Sequence, residues 1–200
     1  MIGIIKYQAG NLASVSNALD RLGAEYFISD DPQKLEKASG IIFPGVGHAS
    51  AAMDDLRKKK LDIWLKNTKK PVLGICLGMQ LLFESSEEGD SVALGIIPGK
   101  LKKFDSSRAK VPHMGWNQFK PLIDHPLING IGNKQFLYYV HGYYAPTSEH
   151  TLASCNYIKD FAAVVAKDNF MGVQFHPEKS GQVGSLLLQN FLNMVNGRQT

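Results

Sequence analysis

The chain has 200 residues, enough for one domain with a sizeable core that needs neither disulfides nor metals. Its 44% hydrophobic and 20% charged residues are typical of a water-soluble globular protein, and no run of about 18 apolar residues predicts a membrane span. The net charge of +4 is mild, and the two basic clusters, residues 57–60 and 66–70, lack the interleaved aromatics of a nucleic-acid surface, so we expect solvated helix faces.

Strand and helix signals alternate through the first half of the chain. Apolar strands are predicted at residues 2–6, 24–28, 40–43 and 72–75. Asn11 is placed to cap a helix that has apolar residues at helical spacing and ends at Gly23. Asp31 and Pro32 open a second, short helix. Repeated strand–helix–strand order predicts an α/β fold with a mostly parallel central sheet and helices on both faces.

The second half of the chain has a different pattern. Short β-like runs separated by turn residues lie at residues 100–104, 135–140, 151–157 and 162–166. We expect them to form a partly antiparallel addition to the sheet. A strand at residues 171–175 then returns to the parallel part, and a helix at residues 185–195 closes the chain. The sequence therefore predicts a single domain over residues 1–200.

The cysteines and the N-terminal segment bear on the cellular compartment. Cys76 and Cys155 are the two cysteines, too few for a disulfide framework, which fits a reducing compartment. Residues 1–6 predict a strand and lack the charged region and long apolar stretch of a signal peptide, so we expect a cytoplasmic protein. No metal-ligand spacing, phosphate-binding loop or cofactor motif occurs in the sequence, so no cofactor is expected.

Cys76 interrupts an apolar run and has Gly74 and Gly78 two positions away on either side. The pattern Gly-x-nucleophile-x-Gly at a strand-to-helix junction is typical of a nucleophile elbow, in which a strained turn presents a side chain above a sheet. The thiol then lies at a helix N-terminus, where the helix dipole favours the thiolate. Alone, the cysteine is also compatible with an inert core thiol, because free cysteines are among the most buried residues.

The sequence Phe-His-Pro-Glu at residues 175–178 supplies the partners that such a nucleophile needs. His176 would act as the base and Glu178 as the carboxylate that orients it, which completes a Cys-His-Glu triad. A histidine beside a proline is also compatible with a structural role. However, Cys76 and His176 both follow short apolar strands, and open α/β sheets place their sites at strand ends. The pair predicts an enzyme.

The glycine-rich segment at residues 44–47, Pro-Gly-Val-Gly, follows the third predicted strand directly. We expect it at the same sheet edge as Cys76, where the backbone N–H groups of Val46 and Gly47, with that of Leu77, form an oxyanion hole. The alternative is a plain strand-to-helix turn.

Three segments together resemble the class I glutamine amidotransferases: GICLGMQ at residues 74–80, PGVG at 44–47 and FHPE at 175–178. The resemblance spans the chain in the family's order, and implies hydrolysis of the side-chain amide of glutamine by the Cys-His-Glu triad. It also implies that Gln80 and Glu88 bind the substrate. Glu88 lies in an acidic run that is also compatible with solvated surface, and His113 and His141 are expected to be structural or interface residues.

Further segments are similar to the glutaminase subunits of imidazole glycerol phosphate synthase: YQAGNLASV at residues 7–15, PHMGWN at 112–117, YVHGYY at 139–144 and EKS at 178–180. This resemblance implies a heterodimer with a (β/α)8-barrel cyclase subunit, which receives the ammonia in histidine biosynthesis. The first segment departs from the usual Tyr-Gly-x-Gly-Asn, because Gln8 stands where a glycine is common, and that departure puts the local loop geometry in question.

Three other functions compete with this interpretation. A glutaminase serving anthranilate or pyridoxal phosphate synthesis is disfavoured by the PHMGWN segment. A Cys-His peptidase on a related α/β fold would accept peptides and need no synthase partner, and release of ammonia from glutamine separates the two. A binding subunit with a dead site is disfavoured by the intact triad, and labelling of Cys76 by a glutamine-like electrophile tests it.

Overall fold

The computed structural model describes residues 1–8 and 11–197, which form one α/β domain. Its strands are Ile2–Ile5 (β1), Tyr26–Ser29 (β2), Gly40–Gly45 (β3), Val72–Cys76 (β4), Ser85–Ser86 (β5), Ser91–Val92 (β6), Lys100–Lys103 (β7), His113–Gln118 (β8), Lys120–Pro121 (β9), Phe136–His141 (β10), Tyr143–Tyr144 (β11), Thr151–Tyr157 (β12), Lys159–Lys167 (β13) and Phe170–Val173 (β14). Its α-helices are Leu12–Arg21 (α1), Pro32–Leu35 (α2), Ala49–Lys58 (α3), Leu61–Asn67 (α4), Leu77–Gln80 (α5) and Gly181–Val195 (α6). Short 3₁₀ helices are formed by Glu88–Asp90, Pro126–Ile128 and Pro177–Lys179.

Eight strands form the central sheet in the order β2-β1-β3-β4-β14-β13-β12-β9. The strands from β2 to β14 run parallel, and β13, β12 and β9 extend the sheet in antiparallel fashion. The predicted parallel sheet with an antiparallel addition is therefore confirmed. Two smaller sheets, β10-β8 and β11-β7-β5-β6, belong to the long connection between β4 and β14.

Both faces of the parallel sheet are covered by helices, as predicted. Side chains alternate between the faces along a strand: Ile42 of β3 packs in the core layer that contains α1 and α6, whereas Ile41 and Phe43 pack in the layer of α2, α3 and α4. Because each strand is buried on both sides, its sequence is a continuous apolar run rather than an alternating one. This burial positions the strand ends rigidly.

The structure corrects several local expectations. Asn11 occupies the N-cap position of α1, but its side chain makes no capping bond there, whereas Asp31 caps α2 by accepting from the N–H of Gln33. The helices α3 and α4 were not assigned from the sequence, and α6 begins at Gly181 rather than residue 185. Within residues 1–8 and 11–197, none of the helices combines the length and the apolar character needed to cross a bilayer.

Candidate active site

Cys76 occupies a tight turn between β4 and α5. Its backbone φ of +53° and ψ of −109° lie outside the usual regions for an L residue, a strain of about 1–3 kcal/mol that such sites characteristically store. The flanking glycines are required by space: a Cβ on Gly78 would collide with the carbonyl oxygen of Phe43, and one on Gly74 would lie 2.7 Å from the backbone nitrogen of Met79. The geometry is that of the predicted elbow. Since α5 is a single turn, the charge on Cys76 depends less on a helix dipole than expected.

His176 and Glu178 lie beside this elbow because β14 is the parallel neighbour of β4, with Val173 opposite Ile75. The Nδ1 atom of His176 is 2.8 Å from Oε1 of Glu178, and each side chain is 1% exposed. Burial alone would lower the pKa of His176, but the Cys76 sulfur and the Glu178 carboxylate raise it to about 10. The arrangement favours an imidazolium at neutral pH.

Strand β10 passes directly over the site and anchors it. The Sγ atom of Cys76 lies 3.8 Å from the carbonyl oxygen of Val140. The backbone N–H of His176 donates to the carbonyl of Tyr138 at 2.8 Å. The Ser180 hydroxyl donates to the carbonyl of His176 at 2.6 Å and accepts from the N–H of Tyr138 at 3.0 Å. The inserted half of the chain thus fixes the backbone around His176.

The glycine-rich segment reaches the same place. Gly45 is the direct neighbour of Cys76 in the β3–β4 register, so Val46 and Gly47 continue past the nucleophile, and Leu77 follows it in the chain. Gly47 has a φ of +107°, which L side chains rarely adopt. The assignment of the Val46, Gly47 and Leu77 N–H groups as oxyanion donors stays a prediction.

The two residues predicted to bind substrate already make internal contacts. Gln80 is buried, and its Nε2 donates to the carbonyl oxygen of Tyr143 at 3.0 Å and to Oε1 of Gln174 at 2.9 Å. Glu88 is half-buried, and its Oε2 accepts from the N–H of Ala49 at 2.7 Å, at the start of α3. Neither contact tests glutamine binding. The contact to α3 does distinguish Glu88 from a merely solvated acid.

His113 and His141 form a buried pair behind the site. Nδ1 of His113 is 3.1 Å from Nε2 of His141, and Nδ1 of His141 is 2.7 Å from the carbonyl oxygen of Tyr143. Burial lowers the pKa of His113 to about 4 and that of His141 to about 3, so both rings are neutral at pH 7. The assignment of both as structural or interface residues stays a prediction.

Three residues have contacts near the triad that the sequence analysis did not predict. Gln174 is wholly buried, with Nε2 3.8 Å from Sγ of Cys76, and a lone amide in the predicted strand at residues 171–175, directly after β14, was the available signal. The Tyr7 hydroxyl is buried against Gly45 and has no hydrogen-bond partner within residues 1–8 and 11–197. Its burial is the larger cause, and the nearby Cys76 the smaller one, of a pKa raised well above the usual value. Nδ2 of Asn11 lies 3.5 Å from Oε1 of Glu178.

The loop containing the unusual Gln8 is only partly described, since Ala9 and Gly10 of the 7–15 segment lie outside the described residues. The N–H of Gln8 donates to Oδ2 of Asp55 on α3 at 2.8 Å. Asp55 also pairs with Lys59 at 3.0 Å.

In the part of the chain that the structure describes, no three His, Cys, Asp or Glu side chains are grouped to hold a metal ion.

Comparison with known proteins identifies the class. The sequence profile described as "Glutamine amidotransferase class-I" matches residues 5–195, so this chain belongs to the class I glutamine amidotransferases. Within that class, it is similar to proteins named "Imidazole glycerol phosphate synthase subunit HisH". The Bacteroides fragilis YCH46 protein is 47% identical over 96% of this chain and 99% of its own length. The Shewanella loihica protein is 44% identical over 97% and 91%.

Solved structures support the same fold. A glutamine amidotransferase crystal structure superposes with a TM-score of 0.76 at 17% identity, covering 98% of both chains. A glutamine amidotransferase from Thermotoga maritima gives a TM-score of 0.71 at 15% identity, covering 97% of this chain and 96% of that one. At these identities the likeness establishes the fold alone.

Proposed function

We propose that this chain is the glutaminase subunit of an imidazole glycerol phosphate synthase and acts through Cys76, His176 and Glu178. The observation that carries the proposal is the buried 2.8 Å contact between His176 and Glu178 beside the strained Cys76 turn. A nucleophile, a base and a carboxylate that orients the base are what acyl transfer from an amide requires. The high identity to HisH proteins over nearly the full length supports the choice of pathway, histidine biosynthesis.

In the first half of the reaction, the Cys76 thiolate attacks the carboxamide carbon of glutamine and forms the C–S bond. The imidazolium of His176 gives its proton to the amide nitrogen as the C–N bond breaks, so ammonia leaves and a glutamyl thioester remains. The raised pKa of His176 keeps that proton available at neutral pH. Glu178 orients the ring and stabilises its positive charge.

In the second half, a water molecule attacks the thioester and His176 takes its proton. The C–S bond breaks, glutamate leaves, and the thiolate–imidazolium pair is restored. Backbone N–H groups of Val46, Gly47 and Leu77 stabilise the oxyanion in both halves.

Glutamine binding is assigned to Gln80 and Glu88. Because Nε2 of Gln80 is engaged by Tyr143 and Gln174, its Oε1 is the atom we assign to the substrate. Glu88 would receive the α-ammonium group of glutamine by charge complementarity. Its contact with Ala49 at the start of α3, just after the segment containing Val46 and Gly47, supports a place at the mouth of the site.

The partner is a (β/α)8-barrel cyclase subunit in a heterodimer, and the outer face of the β8–β10 ribbon is its docking surface. Met114, Trp116 and Phe136 on that ribbon are 63%, 55% and 51% exposed. Neighbouring exposed apolar side chains mark an interaction surface. The same ribbon contacts Cys76 through Val140, so a barrel bound there would cover the site and receive ammonia.

The barrel would join the ammonia to a phosphoribosyl-formimino nucleotide, which gives imidazole glycerol phosphate and an aminoimidazole carboxamide ribotide. The thiolate chemistry fits a reducing, cytoplasmic compartment.

The test is a glutaminase assay of the isolated chain, of the chain with its cyclase subunit, and of that complex with the nucleotide substrate. We expect negligible hydrolysis alone and strong stimulation in the loaded complex. Trp116→Glu should weaken the complex, whereas Ile63→Glu, an exposed apolar residue on α4, is the matched control and should not. Full turnover by the isolated chain, or preferential cleavage of peptides, would favour an autonomous hydrolase.

A further inference from the structure

Gln174 is wholly buried against the nucleophile, and no step of the reaction above uses it. Its Nε2 atom lies 3.8 Å from Sγ of Cys76 and its Oε1 accepts from Gln80 at 2.9 Å. Burying an amide is costly unless both its ends are hydrogen-bonded, and an apolar side chain would fill the end of β14 without that cost. The presence of an amide at this position therefore calls for a function.

The orientation of the Gln174 amide follows from its neighbours. The carbonyl oxygen of Tyr143 can only accept, so Gln80 must present its NH₂ group there, at 3.0 Å. The second proton of that NH₂ group points to Oε1 of Gln174, at 2.9 Å. Gln174 consequently presents its own NH₂ group to Cys76. A flip of either amide would set two acceptors or two donors against each other.

The carbonyl that determines this order is itself held in place. It accepts from Nδ1 of His141 at 2.7 Å, so Nε2 of His141 is an acceptor and receives the Nδ1 proton of His113. Nε2 of His113 in turn accepts from Nδ2 of Asn117 at 3.2 Å. All donors therefore point in one direction, from Asn117 on β8 to the Tyr143 carbonyl.

We propose that Gln174 is a catalytic residue of the glutaminase reaction, whose Nε2–H group donates to the sulfur of Cys76 and stabilises its negative charge. This role rests on the proposed function and adds a side-chain donor to the triad. Hydrogen bonds to ionised groups are roughly twice as strong as neutral ones, and more so in a buried site. The donor acts on the thiolate before attack and again when the sulfur leaves the thioester.

Other titratable groups also face the sulfur and must be separated from Gln174. His176, paired with Glu178, faces it from the end of β14, Tyr7 approaches from the first loop, and His141 lies behind His176 on β10. The substitution Gln174→Met changes none of these groups. It keeps a side chain of similar length and removes both the N–H donor and the acceptor for Gln80.

The experiment measures two properties of the full chain. The first is alkylation of Cys76 by iodoacetamide, followed by peptide mass spectrometry across a pH series. The second is kcat and KM for glutamine in the loaded cyclase complex. The control is Asn190→Leu, which removes another buried amide, one that donates to the carbonyls of Leu127 at 3.1 Å and Asn129 at 2.9 Å, away from the site.

We expect Gln174→Met to move the alkylation profile to higher pH and to lower kcat about ten-fold, with KM changed by less than about two-fold. Asn190→Leu should lower the melting temperature and leave both readouts unchanged. An unmoved alkylation profile in Gln174→Met, or an equal shift in Asn190→Leu, overturns the proposal. Should Gln174→Met not fold, Gln174→Glu keeps the shape and the acceptor, and its added negative charge should shift the profile further.

Failure of this proposal can be distinguished from failure of the proposed function. If the wild-type complex does not hydrolyse glutamine, the proposed function fails, but the alkylation profiles of wild type and Gln174→Met still decide whether the amide stabilises the thiolate. If the complex is active and the profiles coincide, the proposed function stands and the role of Gln174 is refuted.

Discussion

Replacing Glu178 by glutamine tests how the buried carboxylate controls His176. The two side chains are 2.8 Å apart and each is 1% exposed, so solvent screens their interaction very little. The pKa of His176 is raised from 6.5 to about 10 against the opposing effect of burial, and Glu178 shares this effect with Cys76. At 1.36 kcal/mol per pKa unit, a shift of about 3–4 units corresponds to roughly 5 kcal/mol of stabilisation of the imidazolium.

Loss of Glu178 removes part of that stabilisation, so the pKa of His176 falls and the imidazolium that protonates the leaving nitrogen is less favoured. Misorientation of the ring adds to the loss, so we expect Glu178→Gln to lower kcat by about a hundred- to ten-thousand-fold. That loss should remain smaller than the loss caused by removing the nucleophile. The glutamine side chain can still accept from Nδ1, which is why geometry is partly retained.

The sign of the pH effect is fixed by the direction of the shift. A group whose pKa is raised by its partners holds its proton below that pKa and loses it as the pH rises through it. Without Glu178 one of the two groups that raise the pKa of His176 is lost, so that pKa falls and the alkaline limb of the glutaminase pH profile should move to lower pH. The assay is kcat against pH in the loaded complex for wild type and Glu178→Gln. An alkaline limb that does not move would refute the assignment of Glu178 as the partner of the imidazolium.

Four further substitutions probe neighbouring parts of the site. Cys76→Ala should abolish glutamine-dependent product while ammonium-dependent product remains, since the proposed function assigns that chemistry to the partner. His176→Ala should lose several orders of magnitude in glutamine-dependent turnover, and coupled turnover assays with each nitrogen source check both. Gly47→Val should disturb the segment beside Cys76, because the φ of +107° at Gly47 disfavours a β-branched residue. Hydrolysis should then no longer depend on the nucleotide, while iodoacetamide still labels Cys76. Tyr7→Phe removes a buried hydroxyl that lacks a partner within residues 1–8 and 11–197, so unfolding by urea should show unchanged stability or a gain of up to about 1–3 kcal/mol; a clear loss would contradict this.

The location of the site could be predicted from the sequence because buried strands appear in it as short runs of apolar residues. Val72 to Ile75 is a continuous apolar segment, residues 171–175 are apolar except for Gln174, and each segment is followed at once by a reactive side chain. In an α/β sheet such strand ends share one edge, so the sequence alone predicts that Cys76 and His176 lie near each other. The elbow also followed from local sequence, since Gly74 and Gly78 leave space that no larger residue could share.

What could not be predicted depends on contacts between distant parts of the chain. Asn11 looked like a helix cap, but its amide lies 3.5 Å from Glu178, which is 167 residues away. Gln174 and Gln80 are 94 residues apart and share a hydrogen bond. The helices α3 and α4 lie in a segment interrupted by charged residues, so their apolar stripe was harder to detect than the strand runs.

The two glycines of the glycine-rich segment, Gly45 and Gly47, differ in what a substitution would disturb. Gly45 and Gly47 belong to the same segment, but their surroundings differ. In the structure, a Cβ on Gly45 would collide with the Tyr7 hydroxyl and lie 2.7 Å from the backbone nitrogen of Gly78, so any side chain there would displace the Cys76 turn itself. A substitution at Gly45 would therefore damage the nucleophile, whereas one at Gly47 acts on the backbone beyond it. Of the two positions, a substitution at Gly47 can therefore change how the nucleotide stimulates hydrolysis while Cys76 itself stays intact.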